Sequence, residues 1–427
     1  MRDDRVFDAL DLMLIILFFI SWIHSLMVLL FYLSLLLLLR KRTAGCMKGL
    51  ILLTTRGLMN PAAAASAGRF ELLKWALIFL FSLYILTFGE SEGEDRRKLI
   101  RILGSLLAFS ISAAFFSFLV SSYPVTAAFK TAAFSISMAA VFFGTAADKS
   151  RDYWIEYFTG LYGILFLISI FLIPFQRFRT VNADFQGIFN HVNVFGAIAA
   201  LYISAVLRSR YFITHVKLRN SLIILMIFMT YLSRSRTGMF AIAAVLELKY
   251  LFSPRSALQK ICISLGGMGV LLLLISLMPG DIKAGVSDLA IDFIYKGDTS
   301  SVWAHRLGQM EAARMKFMAH MLTGSGFMVP YDPSVRDYRF TFGLVAEPGN
   351  LVWAVLGDTG LLGSLLFLIL LYCIGTAGKK KDLYLPAGVL AVNMGEMVFF
   401  STNNYSILIY LLLAAYAFGR KEEGAES

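Results

Sequence analysis

Two arginines, Arg234 and Arg236, interrupt a long apolar region in the segment Leu232–Gly238, which reads LSRSRTG. An arginine deep in a bilayer costs roughly 2.5 kcal/mol or more on insertion scales, so each is expected to face a wet cavity or an anionic partner. A simpler interpretation is that the pair caps a tight turn and reaches lipid phosphate at the membrane surface. The spacing of the two arginines, followed by Thr-Gly, favours an anion site.

The composition identifies the environment in which these arginines lie. The chain has 427 residues, of which 58% are hydrophobic and 16% charged, with a mean hydropathy of +0.72. Soluble globular proteins carry about 25% charged residues, so an integral membrane protein is predicted. Apolar windows of about twenty residues recur, which predicts spanning helices rather than a β-barrel. The net charge of +11 fits basic cytoplasmic loops and does not indicate nucleic acid as a partner.

The cysteines point to neither a disulfide framework nor a metal site. Cys46, Cys262 and Cys373 lie in or beside apolar segments, without CxxC or Cys/His spacing. We therefore predict no metal and no cofactor.

The apolar segments predict an all-α fold, a polytopic integral membrane protein with about 12 to 14 transmembrane helices. Residues 9–39 would span about 46 Å as one helix, more than the roughly 30 Å of a bilayer core. This length favours a hairpin of two short helices that turns near 21–25, with a single tilted helix as the alternative. The other predicted spans lie near residues 71–89, 99–122, 125–147, 153–175, 188–207, 220–232, 237–252, 260–279, 350–374, 384–400 and 404–419, with a weak segment at 51–61.

The excess of Lys and Arg in short loops predicts the orientation of the chain. Runs such as Lys379–Lys381 and Arg420–Lys421 give one consistent alternation, with both termini in the cytoplasm. The segments then predicted to lie outside are 176–186, 232–238, 280–347 and 401–404. Three regions follow: N-terminal helices (1–279), a large extracytoplasmic loop (280–347), and C-terminal helices with a short tail (348–427).

The large loop contains one periodic segment, Ser301–Met321, in which apolar residues recur at helical spacing. This pattern predicts an amphipathic helix. At about 100° per residue, Arg306, Lys316 and His320 fall on one basic face. The helix either lies on lipid with its charges in solvent, or turns its basic face towards an anionic substrate.

Taken together, the motifs resemble those of the O-antigen ligase and polysaccharide polymerase family of bacterial membrane glycosyltransferases. Four segments are similar to family motifs and occur in the family's order: FNHVNVFGAIAAL (189–201), LSRSRTG (232–238), HRLGQMEAARMKFMAHMLTGSGF (305–327) and GNLVWAVLGDTGLLG (349–363). The family commonly ends its large loop with a His-Asn pair. Here Asn350 is present, but Gly349 precedes it.

The resemblance implies transfer of a polyprenyl-diphosphate-linked glycan to a sugar acceptor on the outer face of the bacterial cytoplasmic membrane. A polymerase joins lipid-linked repeats to one another, whereas a ligase moves the finished glycan onto a different acceptor. The missing histidine favours a polymerase of an exopolysaccharide, capsule or O-antigen. The implied partners are the lipid-linked donor, the glycan acceptor, the bilayer, and a chain-length regulator or flippase. A non-enzymatic transporter of lipid-linked glycan is the competing interpretation.

The diphosphate leaving group gains negative charge as its bond to the sugar breaks, so fixed cations would stabilise the transition state. Arg236 and Arg306 are predicted to bind it, with Arg234 in support, because guanidinium binds phosphate bidentately. Glu347 is the first candidate for the base that activates the acceptor hydroxyl, and His305 the second. Alternatively, Glu347 lies in the first turn of a helix, where its negative charge interacts favourably with the positive end of the helix dipole.

Further substrate-binding candidates have simpler alternatives. Membrane headgroups are the alternative ligand for the two arginines of the predicted 176–186 loop, and packing or hydrogen bonding is the alternative role for the others. These candidates are Arg177, Arg179, Asn193, Lys316, His320 and Asn350. Asn403 and Asn404, in a turn between two helices, are weaker candidates for contact with sugar hydroxyls.

Overall fold

The computed structural model describes residues 6–91, 93–147, 152–180, 183–253, 256, 259–260, 307–330 and 349–419. This part of the chain is all-helical and contains no strand, only isolated backbone bridges such as Met59 with Phe189. Its helices, numbered here in chain order, are α1 (Ala9–Ile20), α2 (Ser25–Ser34), α3 (Arg42–Gly57), α4 (Glu71–Phe88), α5 (Gly93–Val120), α6 (Pro124–Ala147), α7 (Tyr153–Phe171), α8 (Val192–Arg208), α9 (Arg210–Thr214), α10 (Val216–Leu232), α11 (Arg236–Leu251), α12 (Leu307–Ala319), α13 (Leu351–Ala377), α14 (Tyr384–Asn393) and α15 (Ser406–Ala417).

Five helices of the described part, α4, α5, α6, α7 and α13, are long and apolar enough to cross a membrane. Helix α5 shows how they meet their surroundings. Its residues Leu107, Ile111 and Phe115 are more than half exposed, whereas Leu106 and Phe109 are buried in the bundle. A helix that is apolar on its outer face as well as its inner one is suited to lipid. The chain is therefore an all-helical membrane protein.

The first apolar stretch forms the predicted hairpin, and the single tilted helix is excluded. Helix α1 begins with a capping box in which Asp8 and Asp11 each accept a hydrogen bond from the other's backbone N–H. His24 starts α2, where its ring nitrogen accepts a hydrogen bond from the N–H of Leu26 at 3.2 Å. These local caps explain why the chain turns between Ser21 and His24.

Helix α3 is longer than predicted, because the hydropathy pattern indicated only a weak apolar segment at 51–61. The helix spans Arg42–Gly57, and every residue from Gly45 to Arg56 is buried. Its hydropathy is low because it carries Lys48 and Arg56. Lys48 contacts Asp11 of α1 at 2.5 Å, so part of this charge is neutralised by another helix.

The last predicted spans also need correction. The stretch 384–400 is not one helix, because α14 ends at Asn393. The Asn393 side-chain oxygen accepts hydrogen bonds from the N–H groups of Val398 (3.0 Å) and Phe399 (2.7 Å), which turns the chain back. The irregular segment 394–405 then leads into α15. The predicted span 260–279 lies outside the described residues.

The connections between helices gather at two ends of the bundle. The arginine-turn end contains Leu232–Gly238, and backbone hydrogen bonds join it to neighbouring segments: Phe185 N–H to Leu232 O (3.0 Å) and Asn190 N–H to Leu58 O (2.8 Å). The Asp382 end is marked by an ion pair between Arg208 and Asp382. The predicted outer segments 176–186, 232–238 and 401–404 all lie at the arginine-turn end. That this end faces the cell exterior stays a prediction.

Helix α13 is broken at Gly360, whose φ of 63° and ψ of −166° are not helical. The turn after α12 fills the break: Leu361 N–H donates to Met321 O at 2.8 Å, and Leu362 N–H donates to Leu322 O at 3.1 Å. A Cβ on Gly360 would lie 2.5 Å from backbone atoms of Leu322. Glycine is therefore required here for both its conformation and its size. The break ties the loop helix α12 directly to a membrane helix.

Candidate functional site

The arginine turn connects α10 to α11 through a strained residue. Arg234 has a φ of 50°, a left-handed conformation that costs a non-glycine residue of order 1–3 kcal/mol. Its guanidinium lies 3.6 Å from a carboxylate oxygen of Asp184. Ser235 caps α11 by accepting a hydrogen bond from Gly238 N–H at 3.3 Å, and Arg236 is the first residue of the helix. The turn is thus fixed by a cap and an ion pair, as an anion-binding position requires.

Close glycine contacts hold this turn against its neighbours. A Cβ on Gly238 would lie 2.6 Å from the Cα of Gly196 in α8, so the two helices meet backbone to backbone. A Cβ on Gly395 would lie 2.0 Å from the hydroxyl of Thr237. Small residues permit such an approach between membrane helices. The turn is therefore packed tightly between α8 and the segment that follows α14.

A carboxylate that the sequence did not single out lies near this turn. Asn193 donates a side-chain hydrogen bond to Glu396 at 2.7 Å, and its own N–H donates to the ring of His191, which caps α8. Glu396 follows Gly395 in the irregular segment after α14. Sequence reasoning missed it because the residue was assigned to a continuous apolar helix. Asn193 accordingly joins α8 to the segment beside the arginine turn.

A cavity of about 570 Å³ opens at the same end of the bundle, within the range typical of ligand sites. It lies between α3, α4, α6 and residues 400–404, and its described lining does not include the arginine turn. Its described lining includes three cations, Arg56, Lys74 and Lys130. The same lining contains one carboxylate, Glu71, and three aromatic side chains, of which Trp75 and Phe129 are neighbours.

Two of the cavity's cations, Arg56 and Lys74, are held by oxygens that carry no formal charge. Arg56 donates to the hydroxyl of Ser21 (2.9 Å), to its carbonyl (3.1 Å), and to Ala65 O (2.6 Å). Lys74 donates to the side-chain and backbone oxygens of Asn403. These bonds fix the positions of Arg56 and Lys74 without cancelling their charge. Lys130 donates to Met328 O at 2.7 Å.

The two arginines of the 176–186 segment, Arg177 and Arg179, donate hydrogen bonds to backbone carbonyl groups. Arg177 donates to Ala62 O and lies over the ring of Phe178, 5.3 Å from its centroid. Arg179 donates to Ala183 O (3.1 Å) and to Ile173 O (3.2 Å). Their predicted role in substrate binding stays a prediction.

The structure places Lys316 and Asn350 in structural contacts. Lys316 is buried, and its ammonium group contacts Asp358, Gly326 O (2.6 Å) and Val329 O (2.8 Å). Asn350 caps α13 by accepting a hydrogen bond from Trp353 N–H at 2.9 Å. Because all three donors of Lys316 are used, we leave it out of the proposed site. His320, just after α12, is half-buried and remains a candidate.

Three of the predicted catalytic residues, Arg306, His305 and Glu347, lie outside the described residues. Their roles stay predictions. Part of the helix predicted for 301–321 is seen as α12, Leu307–Ala319, but its predicted basic face is not a solvated one, because Lys316 is buried. Within the described residues, no group of three or more His, Cys, Asp or Glu side chains could hold a metal ion.

The cations of the cavity were missed because they converge from distant parts of the chain. A signal was present, since Lys74 and Lys130 are single cations inside the predicted spans 71–89 and 125–147. An ionisable residue within a membrane segment indicates a functional site by default. The sequence alone does not show which of these residues share a cavity.

Fold and composition define the class of the protein, an all-helical membrane protein with a cation-lined cavity at one end. Comparison of the chain with models of known protein families and with the sequences of curated proteins gives no match.

Proposed function

We propose that the protein is a membrane glycosyltransferase that polymerises polyprenyl-diphosphate-linked oligosaccharide repeats into a surface polysaccharide, on the outer face of the bacterial cytoplasmic membrane. One observation carries the proposal. Five cations gather at a single end of the bundle: Arg56, Lys74 and Lys130 in the cavity, and Arg234 and Arg236 in the turn. Ionisable residues are costly in a membrane protein, and a phosphorylated lipid substrate would use such a concentration of positive charge.

In the proposed reaction, the acceptor hydroxyl oxygen bonds to the anomeric carbon of the donor, and the bond from that carbon to the diphosphate breaks. The electron pair of this bond stays on the lipid diphosphate, whose growing charge Arg236 and Arg306 stabilise. Arg234 supports Arg236 from two residues earlier in the turn. The hydroxyl proton passes to a base, for which Glu347 and His305 are the proposed groups. Glu396, linked to Asn193 beside the turn, is a further carboxylate to test.

The break in α13 favours a second candidate, a transporter of lipid-linked glycan. Broken membrane helices are typical of transporter binding sites. In this protein, however, backbone of the turn after α12 fills the break at Gly360, and Lys316 is already paired with Asp358 beside it. The break is thus a packed joint in the described structure, which ranks transport below glycosyl transfer.

The decisive experiment compares complementation of a deletion strain by wild type, Arg236→Ala, and Arg219→Ala as a matched control. Arg219 is partly exposed on α10, near the helix end opposite the turn. We expect Arg236→Ala to lose long polymer and to accumulate single lipid-linked repeats on the outer face, at normal protein level, while Arg219→Ala behaves as wild type. Normal polymer in Arg236→Ala would refute the assigned role.

Two other outcomes of the same experiment would redirect the proposal. Intact long polymer that stays on its lipid carrier and never reaches its final acceptor would indicate a ligase. Accumulation of lipid-linked repeats on the inner face would indicate a transporter. Analysis of lipid-linked intermediates from each leaflet separates these cases.

A further inference from the structure

We infer that the cavity between α3, α4, α6 and residues 400–404 is a binding site for a sugar that carries an oxyanion, either a phosphate or a carboxylate. This goes beyond the proposed function because binding at this cavity does not require transfer. It draws on that function only for the source of the sugar, a glycan on or near the membrane.

The first argument is electrostatic. Arg56 and Lys74 are only 3% and 4% exposed. Among the described residues, no carboxylate oxygen lies within 4.0 Å of either side chain. A buried charge without a counter-charge is strongly unfavourable, since hydrogen bonds to neutral groups compensate only part of the lost hydration. Both side chains line the cavity, so an oxyanion inside it would supply the missing charge.

The second argument concerns Glu71, the one acidic residue of the described lining, whose charge attracts Lys74 through space while the direct hydrogen bonds of both groups go to Asn403. Glu71 accepts a hydrogen bond from the Asn403 amide at 2.7 Å. The side-chain oxygen of the same asparagine accepts from the Lys74 ammonium group. Asn403 thus fixes both groups in place through opposite ends of its amide. Because Arg56 also belongs to the described lining, Arg56 and Lys74 together outnumber the one described carboxylate.

The third argument concerns the rest of the ligand. The rings of Trp75 and Phe129 lie edge to face, with centroids 5.3 Å apart and an interplanar angle of 68°. Aromatic faces next to polar groups suit a molecule that is apolar on one side and hydroxylated on the other, as a sugar ring is. Ser401 and Asn404 add neutral polar groups to the lining. A volume of about 570 Å³ is far more than a bare phosphate needs.

The test measures binding to the full-length protein, purified into nanodiscs of zwitterionic phosphatidylcholine, by isothermal titration calorimetry. The probes are glucose phosphate, glucuronate, glucose and inorganic phosphate. We expect at least one of the two anionic sugars to bind at least tenfold more tightly than both glucose and inorganic phosphate. Lys74→Gln should weaken that binding about tenfold or more, because a hydrogen bond to a charged group is lost. Lys217→Gln, an exposed lysine at the start of α10, is the matched control and should bind as wild type.

Several results would overturn the inference. These are equal binding of inorganic phosphate and sugar phosphate, no binding of any anionic probe by the wild type, or unchanged binding in Lys74→Gln. Displacement of the sugar when phosphatidylglycerol replaces the neutral lipid would show that the cavity takes a lipid headgroup instead.

A second variant keeps the inference testable if Lys74→Gln does not fold. Trp75→Leu retains all three cations, and we expect it to lose the preference for an anionic sugar over inorganic phosphate. An unchanged preference would refute the sugar site. Because no turnover is measured, these results are independent of the polymer assay: Arg236→Ala tests the reaction, and Lys74→Gln tests the cavity.

Discussion

The Asp382 end of the bundle and the cavity at the other end hold their cations in opposite ways. At the Asp382 end, basic side chains meet carboxylates: Arg208 contacts Asp382, and Arg210 lies 2.6 Å from Asp152. In the cavity at the arginine-turn end, Arg56 and Lys74 meet carbonyl, hydroxyl and amide oxygens instead. Both arrangements satisfy hydrogen-bond donors. Only the first cancels the charge.

This difference separates cations that hold helices together from the cavity cations that we propose bind a ligand. A paired cation projects little field, whereas clustered cations between low-dielectric walls concentrate an attractive field for anions. Lys316 shows that the distinction follows the contacts rather than the position. It belongs to the arginine-turn end, yet it is paired with Asp358 and is not among the described residues that line the cavity. Pairing with a carboxylate is thus the feature to break or create by mutation.

The largest expected change in stability comes from removing the carboxylate partner of a buried cation. Asp358→Asn leaves Lys316 buried without its carboxylate, which should destabilise the protein by roughly 3–5 kcal/mol. A thermal melt in detergent measures this. The matched control is Glu311→Gln, because the Glu311–Arg314 pair is more than half exposed and should contribute less than about 1 kcal/mol. Equal melting temperatures for the two variants would contradict the assigned role of the buried pair.

A smaller effect is expected where the arginine turn is packed. Gly238→Ala would place a Cβ 2.6 Å from Gly196, so α8 and α11 must separate, at a cost of typically 1–3 kcal/mol for overpacking. We also expect polymer formation to fall because Arg236 moves with the helix start. Gly104→Ala is the control, since a Cβ there meets nothing within 4 Å. The melting temperature and polymer length of both variants report the outcome. A wild-type melting temperature and polymer length in Gly238→Ala would mean that Gly238 and Gly196 are not in tight contact.

Removing a cavity cation should affect stability less than function. Lys74→Met deletes a buried charge that has no carboxylate within 4.0 Å in the described structure, so its stability should stay within about 1 kcal/mol of wild type or rise. Binding of the anionic sugar should nevertheless be lost. Parallel melts and calorimetric titrations measure both. A large loss of stability would show that Lys74 is a structural cation like Lys316, and would erase the contrast between the two ends.

The smallest effect is expected at the Asp382 end. Arg210 is about half exposed, so its pair with Asp152 should contribute less than about 1 kcal/mol. Arg210→Gln should therefore have a nearly unchanged melting temperature and normal polymer length. Loss of polymer in this variant would show that function also depends on the paired end of the bundle.

The fold could be predicted where it depends on local sequence. The lengths of the apolar runs give the membrane helices, and the residues around Ser21–His24 give the first hairpin. The end of α14 could not be predicted because it depends on hydrogen bonds that the Asn393 side-chain oxygen accepts from backbone N–H groups further along the chain. The true extent of α3 was hidden because the contacts that bury its charges come from α1 and from the loop at Ala65.

The candidate site was likewise predictable only where it depends on residues close together in the sequence. Arg234 and Arg236 are visible because they interrupt an apolar run within three residues of each other. The cavity was not visible, because Arg56, Lys74 and Asn403 come from different elements and meet only in three dimensions. The hydrogen bonds that join Asn403 to both Glu71 and Lys74 have no signature in the order of the residues.

The contacts of α3 also bear on how the chain enters the membrane during synthesis. Its two inner cations take their contacts largely from α1: Lys48 from Asp11, and Arg56 from Ser21 at the helix end. Each cation would oppose insertion by about 2.5–3.5 kcal/mol at the centre of a lone helix. Because α1 leaves the ribosome first, it can receive α3 as α3 emerges. Helix α1 is therefore expected to assist the placement of α3 within the bundle as the chain is made, and loss of α1 should leave both cations without these contacts.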